Sequence, residues 1–166
     1  MANIPYGKIT LAICKPGKDP LMVLAPSLPG NSLAVSMDAS ARELSKMGMK
    51  MERLTWVDAT GKLFWDMAPE KELENWLFTE GPDALSHLSV LVATNAARGN
   101  VKFVVLCKLN SILAKSGPVR TLEFIKYLVE KLRSLGIGFM VIAEEDAQVK
   151  RLERSLGRTF DKKIAI

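Results

Sequence analysis

Apolar residues recur along this chain in two rhythms, and the rhythms divide it into strands and helices. Lys8 to Cys14, Ser32 to Met37, Arg53 to Val57, Val101 to Leu106, Ile137 to Ala143 and Phe160 to Ile166 are short apolar runs, most of them bounded by Gly, Pro, Asp or Asn, and they read as strands. Val119 to Leu135 follows the other rhythm. There Leu122, Ile125, Leu128, Val129, Leu132 and Leu135 stand three, four and seven apart, on one stripe of a helix. Pro82 to Ala97 repeats that spacing with Leu85, Leu88, Leu91 and Val92, and Gly99-Asn100 stops it. Shorter helices are expected over Ala41 to Met47, capped by Asp38-Ala-Ser40 and stopped by Gly48, and over Ala147 to Leu156, stopped by Gly157. Asp19-Pro20 opens a short helix over Leu21 to Ala25, with a strand over the same residues as the alternative. Residues 62 to 81 keep neither rhythm and are expected to be a loop with one short helix near Glu70 to Leu77.

Strands separated by helices, two of them apolar throughout, predict an α/β fold: a three-layer αβα sandwich round a mostly parallel sheet. Right-handed crossovers join strands of this kind. The length of 166 residues suits a single domain spanning 1–166. No apolar run approaches the length of a membrane span, and the N-terminal stretch lacks the charged start and apolar core of a secretory signal, so the chain is expected in the cytosol. Cys14 and Cys107 sit inside apolar runs as buried thiols, and His87 has no ligand-type residue at metal-site spacing, so neither a disulfide nor a metal is expected. The net charge of +5 favours anionic partners without a polybasic tail. The densest basic stretch, Lys150-Arg151 through Arg154, Arg158 and Lys162-Lys163, has no interleaved aromatics and reads as a solvated helix face; nucleic acid is compatible with it but not indicated.

In sheets of this architecture ligands bind beyond the carboxyl ends of the strands, which selects the loops after Cys14, Met37, Val57, Leu106 and Ala143. The sequence there resembles the RecA superfamily, in particular its KaiC-like branch. Gly7 to Asp19 looks like the first strand and phosphate loop, and Ser32-Leu-Ala-Val-Ser-Met-Asp-Ala-Ser40 is similar to the branch's "LYVSLEES" strand. Leu54-Thr-Trp-Val-Asp-Ala-Thr60 resembles its strand ending in Asp-Ala, and Phe103-Val-Val-Leu-Cys-Lys-Leu-Asn-Ser111 the "VVIDSLS" strand that carries the magnesium-associated aspartate. The motifs keep their order over most of the chain. The resemblance implies a P-loop NTPase-type topology and places a vestigial nucleotide site at Lys15, Gly17, Lys18 and Lys108.

The departures from the family's pattern bear on function. A working phosphate loop needs several glycines, a lysine for the β and γ oxygens and a hydroxyl on the metal. The loop here is short, holds one glycine and has Asp19 where the hydroxyl would stand; Lys18 reads as an exposed turn lysine. Asp38 falls on the first of the family's paired glutamates and Ala39 on the second, while Cys107 and Lys108 replace the magnesium aspartate and the next hydroxyl. Glu144-Glu145-Asp146 could bind a hard cation, but acids just before a helix also cap it and favour its dipole.

Triphosphate hydrolysis needs metal, positioning and charge stabilisation together. The expectation is therefore a domain that is not an enzyme and takes no cofactor, acting by contact with a protein partner or by self-association. Relatives of this superfamily without nucleotide motifs, such as the ring-forming subunits of Elongator, imply the same. Phe64, Trp65, Trp76 and Phe78 are the candidate contact residues, with core packing as the alternative. A nucleotide or nucleic-acid sensor using Lys15, Lys18 and Lys108 is the other expectation.

Overall fold

The structure is a computed structural model that describes residues 7–17, 20–47, 54–61 and 76–166. Its strands are β1 (Ile9–Cys14), β2 (Ser32–Ser36), β3 (Thr55–Asp58), β4 (Trp76–Phe78), β5 (Phe103–Leu106), β6 (Gly138–Glu144) and β7 (Lys162–Ala165). The helices are α1 (Pro20–Leu24), α2 (Ala41–Lys46), α3 (Leu85–Arg98), α4 (Leu109–Ser134) and α5 (Ala147–Leu156). The seven strands form one sheet in the order β4-β3-β2-β5-β6-β1-β7, and every pairing is parallel.

Alternate residues of each central strand enter different cores, as the pleat requires. Leu33, Val35, Val104, Leu106, Phe139 and Val141 pack under α3, α4 and α5. Ala34, Trp56, Phe103, Val105, Met140 and Ile142 pack under α1 and α2 on the opposite face. This explains why 103–106 in β5 and 139–143 in β6 are apolar at every position, and it gives the three-layer α/β architecture expected from the sequence. Gly138 fits the same crowding, because a Cβ there would stand 2.7 Å from the Phe103 ring.

Three expectations are corrected. Of the helix expected near Glu70 to Leu77, residues 70–75 lie outside the described residues, and Trp76 and Leu77 are in β4, where Trp76, Leu77 and Phe78 pair with Trp56, Val57 and Asp58. Aromatic side chains favour such a strand, and the sheet supplies the backbone partners that the local sequence cannot advertise. α4 begins at Leu109 rather than after Pro118. Its break falls at Gly117 (φ 75°, ψ 170°), so two helical pieces abut where a loop was expected. α3 begins at Leu85, three residues after Pro82. For Leu21 to Ala25 the helical alternative is the observed one, over Pro20–Leu24.

The caps follow the sequence. Ser40 and Glu43 form a reciprocal capping box at the start of α2. A stronger tie reaches α2 from β3: buried Asp58 accepts the Ala41 N–H at 2.7 Å and, through its other oxygen, the Thr60 N–H at 2.9 Å and hydroxyl at 2.6 Å. One carboxylate thus joins the end of a strand, the start of a helix and the following turn. That turn ends at Gly61 (φ 74°), where a Cβ would lie 2.2 Å from the Glu80 carbonyl oxygen. At the other side of the sheet β7 is an edge strand, pairing only with β1 among the described residues and presenting exposed Lys162 and Lys163. Asp161 anchors it by accepting the Ile9 N–H at 2.8 Å, and that bond, aided by Arg133, holds its carboxyl below the usual range.

Replacing Asp58 with Ala strands two backbone N–H groups, and the expected loss is roughly 3 kcal/mol of unfolding free energy. Asp58→Asn keeps one acceptor and is expected to lose clearly less. Urea unfolding followed by tryptophan fluorescence measures both; equal stability of wild type and Asp58→Ala contradicts the role given to the carboxylate.

Candidate functional site

The topology creates two crevices at the carboxyl edge. β2 sends its chain into α2 on one face, whereas neighbouring β5 sends its chain into α4 on the other. The same reversal separates β1, leading to α1, from β6, leading to α5. Such switch points are where open α/β sheets leave room for ligands.

The first crevice is bridged by the protein itself. Lys108 follows β5 and reaches Asp38, after β2, with its Nζ 2.7 Å from Oδ2; its Nζ also lies 3.5 Å from Oε1 of Glu144, at the end of β6. Ser111, in the first turn of α4, donates its hydroxyl to the other oxygen of Asp38. The ammonium therefore sits between two carboxylates from different strands. Its hydrogen bond to Asp38 and the two negative charges raise its pKa above the ordinary lysine value, against the opposing effect of partial burial. The backbone at Lys108 is left-handed (φ 60°, ψ 65°), the one non-glycine residue with positive φ among the described residues. That conformation costs about 1 kcal/mol or more, and the ion cluster helps to hold it.

Asn110 fixes the neighbouring strand end. Its side-chain oxygen accepts the Glu144 N–H at 2.8 Å, and its amide nitrogen donates to the Glu144 carbonyl at 3.0 Å and to Asp146 at 2.7 Å. The acidic triplet thus separates into three duties. Glu144 faces Lys108, exposed Glu145 pairs with Lys150 at 2.8 Å, and Asp146 caps α5 by accepting the Val149 N–H at 2.7 Å. The bond from Lys150 is the main cause of a lowered Glu145 pKa. Among the described residues no three metal-ligating side chains gather as a cation site.

In the second crevice Lys15 and Gly17 lie in the exposed turn after β1, with Gly17 at φ 91°; Lys18 lies outside the described residues, as does Asp19. A cavity of about 140 Å³ beside this turn is lined by Cys14, Lys15, Pro20, Val23 and Ile166. β6 separates Lys15 from Lys108 in the sheet, and Lys108 points its charge into the acidic cluster. Cys107 and Cys14 are buried, and the Cys14 thiol donates to the Ala143 carbonyl at 3.5 Å. Of the aromatic contact candidates, Phe64 and Trp65 lie outside the described residues and Trp76 is described by its backbone alone. Phe78 is half-buried and packs against the core on the α1 and α2 face.

No protein-family model and no curated protein matches the chain. A solved structure does: a KaiC-like protein from the hyperthermophilic archaeon Pyrococcus horikoshii OT3, with a TM-score of 0.56 and 14% identity over 86% of this chain. The fold is KaiC-like, of the RecA type. The chain spans 63% of the length of that KaiC-like structure, and at this identity the likeness is one of fold. Among the described residues of this KaiC-like fold no helix is long and apolar enough to cross a membrane.

A raised lysine pKa fixes the sign of a pH effect. The stabilisation from Lys108 is complete below the unfolded-state value, about 10.4, and is lost as pH rises through the higher folded-state value. Lys108→Met is expected to cost about 1 kcal/mol at pH 7, as for a partly solvated charge-assisted pair, and to remove that alkaline component. Chemical denaturation between pH 7 and 12 measures both, and superimposable curves for the two proteins contradict the assignment.

Proposed function

We propose that the chain is a non-catalytic domain of RecA/KaiC-like fold that acts through protein contact, as a regulatory or assembly module. The observation that carries this reading is the Asp38–Lys108–Glu144 cluster: the crevice between β2 and β5 is spanned by an internal ammonium. A metal-dependent phosphoryl transfer needs carboxylates free to hold a cation and cations free to meet phosphate oxygens. Here both kinds of charge are engaged with one another. Where the KaiC-like pattern has a magnesium-associated aspartate, the side chain is the buried thiol of Cys107, a poor ligand for a hard cation.

Protein contact is supported by the mutual engagement of charges in the first crevice and by apolar residues on the surface elsewhere. Val119 and Tyr127 on α4 and Val90 on α3 are exposed. The sensor reading keeps one observation in its favour, the exposed Lys15 beside a small cavity at the second crevice.

With purified chain and magnesium-ATP the expected result is no phosphate release above the protein-free blank and no rise in melting temperature. Turnover that disappears in Lys18→Ala overturns the non-catalytic reading, whereas ATP-dependent stabilisation without turnover moves the assignment to the sensor. Light scattering is expected to give a mass above the 18.3 kDa of one chain, or a protein recovered from lysate in stoichiometric amount. A strict monomer with no such partner removes the contact role.

A further inference from the structure

The chain's net charge of +5 is concentrated at one place. Six cationic and two acidic side chains lie in the segment from Ala147 to Ile166, which forms α5 and the edge strand β7. α5 buries Val149, Leu152 and Leu156 and turns Lys150, Arg151 and Arg154 to solvent, with exposed Arg158 continuing the row just past the helix end. Glu153, on the flank of this face, is taken by Lys163 at 2.6 Å. Lys150 has the exposed Glu145 at 2.8 Å. Arg151, Arg154 and Arg158 make no ion pair among the described residues.

This arrangement works against helix stability. Lys150 and Arg154 are four residues apart and Arg151 and Arg154 three, so like charges stand on adjacent turns and repel. The helix dipole favours a cation at Arg154 in the last turn, but it disfavours Lys150 in the first. Glu145 and Glu153 offset the charge of Lys150, whereas Arg151, Arg154 and Arg158 lead away from the core with no carboxylate bonded to them among the described residues. An open depression of about 340 Å³, lined by Lys150, Glu153, Arg154 and Gly157, runs along the same face.

We propose that the outer face of α5, with Arg158, binds the phosphate backbone of a nucleic acid without reading its sequence. Lys150 and Arg154 are separated by a rise of about 6 Å, the scale of the spacing between successive phosphates on one strand. Guanidinium groups suit phosphate oxygens through paired N–H donors. No aromatic side chain projects from the row to stack on a base, and the apolar face of α5 is committed to the core, which leaves nothing to enter a lipid bilayer. Lys150, at the start of this face, shares Glu145 with the surroundings of Lys15, and the proposal does not depend on the function proposed above.

The test is fluorescence anisotropy of the full chain with two 20-base-pair DNA duplexes of unrelated sequence, titrated at several salt concentrations. Equal affinity for both duplexes is expected, with a log–log salt slope near −3, since about three to four phosphates are neutralised. The double variant Arg151→Glu/Arg154→Glu is expected to weaken binding by about tenfold or more. Circular dichroism checks its folding, and Arg151→Gln/Arg154→Gln serves if it unfolds. Lys15→Ala and Lys108→Met are expected to bind as wild type does. A flat salt dependence, unchanged affinity in the arginine variants, loss of binding in Lys15→Ala, or binding to phosphatidylserine vesicles without binding to DNA each overturns the proposal.

Discussion

A parallel sheet covered on both faces disfavours charged side chains along its strands, so charged groups collect where the strands end. The central strands of this chain obey that constraint with alternating sets of apolar residues, each committed to a separate core. The carboxyl edge then receives what the strands exclude: Asp58, Asp38, Lys108, Glu144 and Asp146. Their positions follow from the order of the strands, because residues far apart in sequence become neighbours only when β2, β5 and β6 lie side by side.

Two acidic arrangements at this edge show how burial selects a role. Asp58 is buried and meets only donors from backbone and hydroxyl groups, so it works as a rivet between β3, α2 and the turn at Gly61. Asp38 and Glu144 are partly exposed and share one ammonium across three strands. A left-handed residue carrying that ammonium is an uncommon choice for lysine, and strained backbone of this kind concentrates where a side chain must be aimed. The consequence is that the crevice the fold would otherwise leave open is spanned by one ammonium held between two carboxylates.

The sequence rhythm made the sheet, most helices and the caps legible, because apolar spacing and capping residues are local signals. β4 was hidden because three residues of strand gain their stability from β3 rather than from their own pattern. The opening stretch of α4 was hidden because Ser116-Gly117-Pro118 reads as a terminator, whereas one positive-φ glycine only breaks the helix there. At the candidate site the residue types were visible but their partners were not. Lys108 could be seen beside Cys107, yet the two carboxylates that engage it lie 70 and 36 residues away, just past β2 and at the end of β6. Asn110 carried no signal in the sequence, since its clasp on both backbone groups of Glu144 exists only once β5 and β6 are adjacent.

The lysines of β7 bear on how copies of this chain can meet. An uncovered outer strand invites another strand to continue the sheet, and flanking ammonium groups are a common deterrent. Two molecules joined through this rim would set Lys162 and Lys163 of one against those of the other and repel. Contact through helix faces or through the opposite rim escapes that repulsion, whereas continuation of the sheet past β7 works against it.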